Sequence, residues 1–185
     1  MEIIVKKTVA CLEQQGIILF PTDTIWGLGG DARLKETVSK IYRLKQRNQS
    51  KALLCLMRDT NMLKEYFKNI PETAFSFFQD ERPTTVILDA PRGIASNMIA
   101  DDNSLAVRIP KDSFCNELLA VFGFPIIATS ANTSGHPSPN SYLQIEELIL
   151  GGVDYVVPLK KTVKMNQPSR IVKVTPEGFV TVIRE

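Results

Sequence analysis

The sequence predicts an α/β (α+β) fold in a single domain over residues 1–185, a mixed sheet flanked by helices. Three observations predict it. Short apolar runs of strand length alternate with longer stretches of helical spacing. The last three apolar runs follow one another closely, which favours antiparallel pairing near the C-terminus. A chain of 185 residues, 44% hydrophobic and 23% charged, can also bury a sizeable core without staples.

From Ile3 to Gln15 the apolar residues Ile4, Val5, Val9 and Leu12 fall at helical spacing, closed by Gly16. Ile17 to Phe20 reads as a buried strand stopped by Pro21. Thr22 to Ala32 reads as a turn-rich segment with three glycines, and Leu34 to Lys45 as a helix turning Val38, Ile41, Tyr42 and Leu44 inward. Ala52 to Met57 is a second buried strand, followed by short helices at Met62 to Phe67 and Glu72 to Gln79. Strands follow at Thr85 to Leu88 and Leu105 to Ile109. Phe114 to Phe122 is a helix capped by Asp112 or Ser113. Pro125 to Thr129 is a strand, and Ile145 to Leu150 a helix ending at Gly151-Gly152. Tyr155 to Leu159, Ile171 to Val174 and Phe179 to Ile183 are the closing strands.

The apolar runs are too short to span a membrane, and the N-terminus has no apolar core followed by a small-residue cleavage site. Cys11, Cys55 and Cys115 form no CxxC pair and share the chain with one histidine, which argues against zinc or disulfides and for free thiols in a reducing cytoplasm. The net charge of +2 neither demands nor excludes nucleic acid. Its distribution says more: Lys40, Arg43, Lys45, Arg47 and Lys51 follow one another with no acid between them. Such a run is either a solvated helix face or a site for polyphosphate or RNA.

Three polar segments follow apolar strands, where open sheets tend to bind ligands. In Pro21-Thr22-Asp23-Thr24-Ile25-Trp26-Gly27-Leu28-Gly29 the Thr22 and Thr24 hydroxyls can share one side of an extended chain, unless they cap a turn. In Lys45-Gln46-Arg47 the two cations would diverge by about 200° on a continuing helix. They converge on a phosphate only if the helix breaks near Lys45. In Thr129-Ser130-Ala131-Asn132-Thr133-Ser134-Gly135, Ser130 and Asn132 suit ribose or phosphate, or an Asx turn. There is no GxxxxGK[ST] loop, GxGxxG turn or GxSxG elbow, and a lone His136 in a Pro/Ser loop suggests no triad. Catalysis here would rest on positioning and electrostatics.

PTDTIWGLG (21–29), KQR (45–47) with Lys51, LAVRIP (105–110), ATSANTSG (128–135) and PSRIV (168–172) resemble, in order, the motifs of the YrdC-like threonylcarbamoyl-AMP synthases. The resemblance implies a twisted α/β sheet around a concave basic cavity. It implies synthesis of threonylcarbamoyl-AMP from ATP, L-threonine and bicarbonate, with release of pyrophosphate. The product would pass to a threonylcarbamoyl transferase complex that modifies an adenosine in tRNA, and tRNA itself is a possible partner. ATP would be a substrate accompanied by Mg²⁺ held by phosphate oxygens and water, with no metal site on the chain and no tightly bound organic cofactor. Lys45 and Arg47 would be the catalytic pair on the phosphates. Lys51, Thr85, Ser130, Asn132, Ser138 and Arg184 would join them in nucleotide binding. Thr22, Thr24, Arg108 and Ser169 would hold threonine, with Arg108 on its carboxylate.

The sequence departs from the family pattern at Trp26, where a tyrosine is common, and at Glu81-Arg82-Pro83-Thr84-Thr85, where a Pro-Gly-Pro-x-Thr run is usual. Ending at Glu185, it matches the minimal form of the family. Three alternatives stand beside the synthase: a relative with this fold but without the activity, an RNA- or nucleotide-binding module, and the carbamoyltransferase domain of hydrogenase maturation. An aromatic content of 8% without aromatic–basic interleaving speaks against stacked single strands. The absence of zinc-spaced cysteines speaks against the third.

Overall fold

A computed structural model describes residues 1–48, 53–165 and 168–185. Its helices are α1 (Glu2–Glu13), α2 (Lys35–Leu44), α3 (Thr60–Tyr66), α4 (Glu72–Gln79), α5 (Ser113–Phe122) and α6 (Glu147–Gly151). The strands are β1 (Ile18–Pro21), β2 (Trp26–Gly29), β3 (Leu54–Leu56), β4 (Thr84–Asp89), β5 (Ser104–Arg108), β6 (Ile126–Ser130), β7 (Tyr155–Val156), β8 (Arg170–Val174) and β9 (Val180–Arg184). Among the described residues they form one sheet in the order β7-β1-β2-β6-β3-β5-β4-β8-β9. The β7–β1, β3–β5 and β4–β8 pairs are parallel and the rest antiparallel, so the sheet is mixed as the sequence predicts.

Alternation along β1 explains why the strand reads as an unbroken apolar run. Ile18 and Phe20 join Val5, Val9 and Leu12 of α1 and Phe114, Leu118 and Leu119 of α5 in one core. Leu19 points the other way, into a second core with Val38 and Ile41 of α2, Leu63 of α3, Phe78 of α4 and Ile149 of α6. With both faces covered, no position on β1 has to be polar. Helix α5 starts where the Asp112 carboxylate accepts from the Cys115 amide at 3.0 Å, and stops at Gly123, φ +76°. Cys55 and Cys115 are buried and Cys11 half-buried, all free. Burial pushes each thiol up, Cys11 to about 11.

Two readings need correction. Thr22 to Ala32 is not wholly a turn: it contains β2, with Trp26 and Leu28 fully buried. Glycine hides this strand, because the Phe20 ring lies against the face that Gly27 and Gly29 present. A Cβ at Gly29 would come within 2.7 Å of that ring and 2.9 Å of the Ile127 carbonyl. Gly29→Ala is therefore expected to destabilise the fold by ~1–3 kcal/mol in urea melting. Gly27→Ala, whose Cβ would meet nothing nearer than 3.4 Å, should cost less. Gly16 also does a different job from the one its position suggests. The left-handed residue after α1 is Gln15 (φ +60°), while Gly16 sits where a Cβ would strike the Cys11 sulfur at 2.5 Å. Of the last three strands only β8 and β9 pair antiparallel, β7 lying at the far edge parallel to β1, and element ends differ too: β7 stops at Val156, and α6 begins at Glu147.

Candidate active site

The break the Lys-x-Arg pair requires is present. Helix α2 ends at Leu44, Gln46 turns left-handed (φ +49°), and the amides of Gln46 and Arg47 donate back to the carbonyls of Arg43 (3.0 Å) and Tyr42 (2.9 Å). This is the double-bonded helix terminus of the Schellman type, built here without glycine. It turns Lys45 inward, where it is fully buried. Its Nζ donates to the Ser130 carbonyl and, at 2.7 Å, to the Asn132 carbonyl, and its own carbonyl accepts from the Ser134 amide at 2.8 Å. The KQR and SAN segments are thus physically joined. Burial, then the Arg47 charge, lowers the Lys45 ammonium to about 7. Arg47 is half-buried, and burial lowers its ionisation also. Lys51 lies outside the described residues.

Asn132 spends its amide on the loop, donating to the carbonyls of Thr133 and His136, both at 2.8 Å. Its Oδ1 is buried with no partner among the described residues. The same loop is pinned by Glu146, which accepts from the Thr133 amide (3.1 Å) and hydroxyl (2.6 Å) and lies 3.2 Å from His136 Nδ1. The Thr133 hydroxyl is the main cause holding the Glu146 carboxyl below its ordinary range. His136 is therefore a loop contact, with no nucleophile among its hydrogen-bond partners. Ser138 is exposed beside it, on a small cavity of about 350 Å³ whose lining includes none of the other predicted site residues.

The residues predicted to bind threonine fall into two bonded groups, and the second joins Ser169 to Thr85 and Arg184, which the sequence assigns to the nucleotide. Thr22 mostly serves its own turn: its hydroxyl donates to the Ile25 carbonyl (2.8 Å) and accepts from the amides of Thr24 and Ile25. Thr24 lies 3.0 Å from it and accepts from Arg108 Nη1 at 2.8 Å. Arg108 is 3% exposed, and its Nη1 is also 3.2 Å from Asp23 Oδ1. In the second group the Thr85 and Ser169 hydroxyls meet at 2.8 Å, both buried, and Arg184 donates to the Ser169 carbonyl through Nη2 (2.7 Å) and Nε (3.2 Å). The charge of Arg108 contributes, after burial, to lowering the ionisation of Arg184, so the two groups share one field.

A cavity of about 800 Å³ opens beside Thr22, Asp23 and Thr24. Its wall carries Arg82, Lys160, Lys164 and Arg170 against the carboxylates of Asp23 and Glu185, a basic surplus fit for anions. Lys160 also reaches the Thr22 carbonyl at 3.3 Å. The sequence reading names none of these four cations, nor Asp23 beside them, nor Glu146 on the loop. Asp23 stood inside the PTDT segment and was passed over for its threonine neighbours. Glu146 and the cations carry no local motif, and only folding brings them near. Among the described residues, no helix is long and apolar enough to cross a membrane.

The family model Sua5_yciO_yrdC, described as telomere recombination, matches residues 10–185. A threonylcarbamoyl-AMP synthase of Xanthomonas oryzae is 31% identical over 170 residues, covering 89% of this chain and 90% of its own. One of Bacillus subtilis is 30% identical over 138 residues, 73% of this chain and 40% of its own. In structure, a substituted form of P. abyssi Sua5 superposes with a TM-score of 0.88 at 25% identity over 97% of this chain, which spans only 55% of that protein. E. coli YciO shares the fold, with a TM-score of 0.86 at 21% identity, covering all of this chain and 90% of its own.

Proposed function

Because the chain belongs to the Sua5/YciO/YrdC family, we propose that it is a threonylcarbamoyl-AMP synthase, a nucleotidyltransferase acting on ATP, L-threonine and bicarbonate. One observation supports this reading above the rest: Lys45 Nζ binds the backbone of both Ser130 and Asn132, so the Lys-x-Arg and Ser-x-Asn segments make one polar centre. An RNA-binding surface has no use for a buried lysine with that partnership, whereas a phosphate site does.

In the proposed reaction the threonine amino group attacks the bicarbonate carbon, and water leaves to give a carbamate. A carbamate oxygen then attacks the α-phosphorus of ATP. The bond from that phosphorus to the oxygen bridging the β-phosphate breaks, and pyrophosphate departs. Nothing in this sequence needs a covalent enzyme intermediate, so positioning and charge stabilisation supply the acceleration. Of the three ammonium protons of Lys45, two are taken by carbonyls and the third is left for a phosphate oxygen. Arg47 adds the second charge, with Lys51 beside it in sequence. Ser130, Asn132, Thr85, Ser138 and Arg184 are assigned to the nucleotide. The threonine is assigned to Thr22, Thr24, Ser169 and Arg108, with the Arg108 guanidinium on its carboxylate. The structure gives Thr85 and Thr22 protein partners already, so both contribute mainly through the shape of the site. Mg²⁺ would enter with ATP, held by phosphate oxygens and water.

The adenylate would be consumed by a threonylcarbamoyl transferase complex acting on tRNA in the cytoplasm. The test is pyrophosphate release from ATP by the purified chain, with and without L-threonine and bicarbonate. Release that needs both is the expected result. Release that ignores threonine, or no release with ATP bound, would refute the reading.

A further inference from the structure

We propose that Asp23 is a positioning residue for substrate recognition, fixing one corner of the Arg108 guanidinium so that the opposite edge takes the carboxylate of the amino-acid substrate. The inference rests on the synthase reading and deepens it. Arg108 is buried; among the described residues its Nη1 donates to Thr24 at 2.8 Å and stands 3.2 Å from Asp23 Oδ1 as an ion pair without a hydrogen bond, that oxygen being buried with no hydrogen-bond partner of its own. Nε is buried with no acceptor among the described residues. A guanidinium presents five donors in a rigid plane, and the Nε–Nη2 edge is one of its two-toothed faces. A buried donor without an acceptor is costly, and an acceptor arriving at the Nε–Nη2 edge would satisfy it while the Asp23 charge stays on the Nη1 side. A planar carboxylate fits that edge.

Asp23 suits the fixing role because it cannot readily turn aside. Its Oδ2 accepts from the Lys111 amide at 3.1 Å, and it stands in the turn that the Thr22 hydroxyl closes. It also lines the basic cavity, so a ligand held there meets Asp23 and Thr24 together. The negative charge of Asp23 does not close the site to anions, because Lys160, Lys164, Arg82 and Arg170 leave the cavity wall positive on balance.

The test measures KM for L-threonine and for ATP in pyrophosphate release by the full chain, and binding of L-threonine against L-threoninol, which lacks the carboxylate. Asp23→Asn should raise KM for threonine about tenfold or more, as expected when a fixed Arg–carboxylate geometry is lost. KM for ATP should move less than about twofold, and the preference for threonine over threoninol should shrink by the factor lost for threonine. Asp23→Glu keeps the charge and shifts it by one methylene, so a smaller rise, about threefold, is expected, and it serves if Asp23→Asn does not fold. Threonine binding like that of the unsubstituted chain in both variants overturns the proposal. So does a loss shared equally by threoninol or ATP, which would mean a merely structural role. An unsubstituted chain that prefers threonine over threoninol yet releases no pyrophosphate counts against the synthase reading alone, and the binding comparison then decides the role of Asp23. One that binds no threonine overturns both.

Discussion

Lys45→Ala is expected to lower threonine-dependent pyrophosphate release by about tenfold or more, the loss of at least ~1.4 kcal/mol of charge stabilisation in the transition state. It should also lower stability, because the Asn132 carbonyl loses its donor, at about 1–3 kcal/mol for a group left unsatisfied, while the Ser130 carbonyl still accepts from the Asn132 amide at 3.0 Å. Arg47→Ala is expected to cost a similar factor in rate and, from a half-buried position, no more than ~1 kcal/mol in urea melting. Near-normal turnover in both variants would remove the pair from the mechanism. The lysine also leaves a titration signature. Its folded-state value of about 7 lies below the ordinary 10.5, so from pH 7 to 10.5 the unfolded chain binds a proton the native chain has shed. Stability from this group therefore rises with pH across that window, and the cost is in full force below pH 7. Bound phosphate should draw the value back up, so ATP binding near pH 8 should take up a proton. Calorimetry in buffers of different ionisation enthalpy would show it, and a Lys45 resonance titrating near 10.5 in the free protein would refute it.

Arg108→Ala is the second large effect. It strands the Asp23 carboxylate in a nearly buried place and removes the donor to Thr24, so a loss of about 3–5 kcal/mol in thermal or urea melting is expected. Where the variant still folds, KM for threonine should rise by more than about a hundredfold, since each 1.4 kcal/mol of lost contact is tenfold and a charged carboxylate pair is worth at least two such steps. Arg108→Lys separates the two consequences. It keeps a positive charge near Asp23 and should recover part of the stability, but a lysine lacks the planar fork and should not restore threonine affinity. Full recovery of affinity by lysine would show that charge alone suffices there.

Much of the frame was legible in the sequence because helices of ordinary amphipathic spacing cover β1 on both faces, although β9 at the edge is exposed along its length. The periodicity of Val38, Ile41 and Tyr42 placed α2, and the apolar run Ile17 to Phe20 placed β1. What escaped depends on contacts between distant segments. Strand β2 looked like a loop because its glycines answer to the ring of Phe20, a fact no local pattern reports. The helix stop at Gln46 could be required but not seen, since glutamine gives no sign that it will adopt a left-handed turn. At the site, motif order singles out Lys45, Ser130 and Asn132, which the fold joins, and Arg108, which it places beside Thr24. It could not show that Lys45 binds main chain, that Arg108 already has a carboxylate beside it, or that Glu146 holds the loop from 13 residues beyond Thr133.

The bonds of Lys45 run to carbonyls of the backbone, and every amino acid supplies one. At position 130 the seat of the lysine is thus indifferent to the side chain, whereas at 132 the side-chain amide also holds the loop. Architecture and recognition are written in separate layers at position 130, so exchanging Ser130 for alanine probes what its hydroxyl does for a ligand while the lysine stays moored. A lineage could rewrite what it recognises there without first having to rebuild the scaffold beneath it.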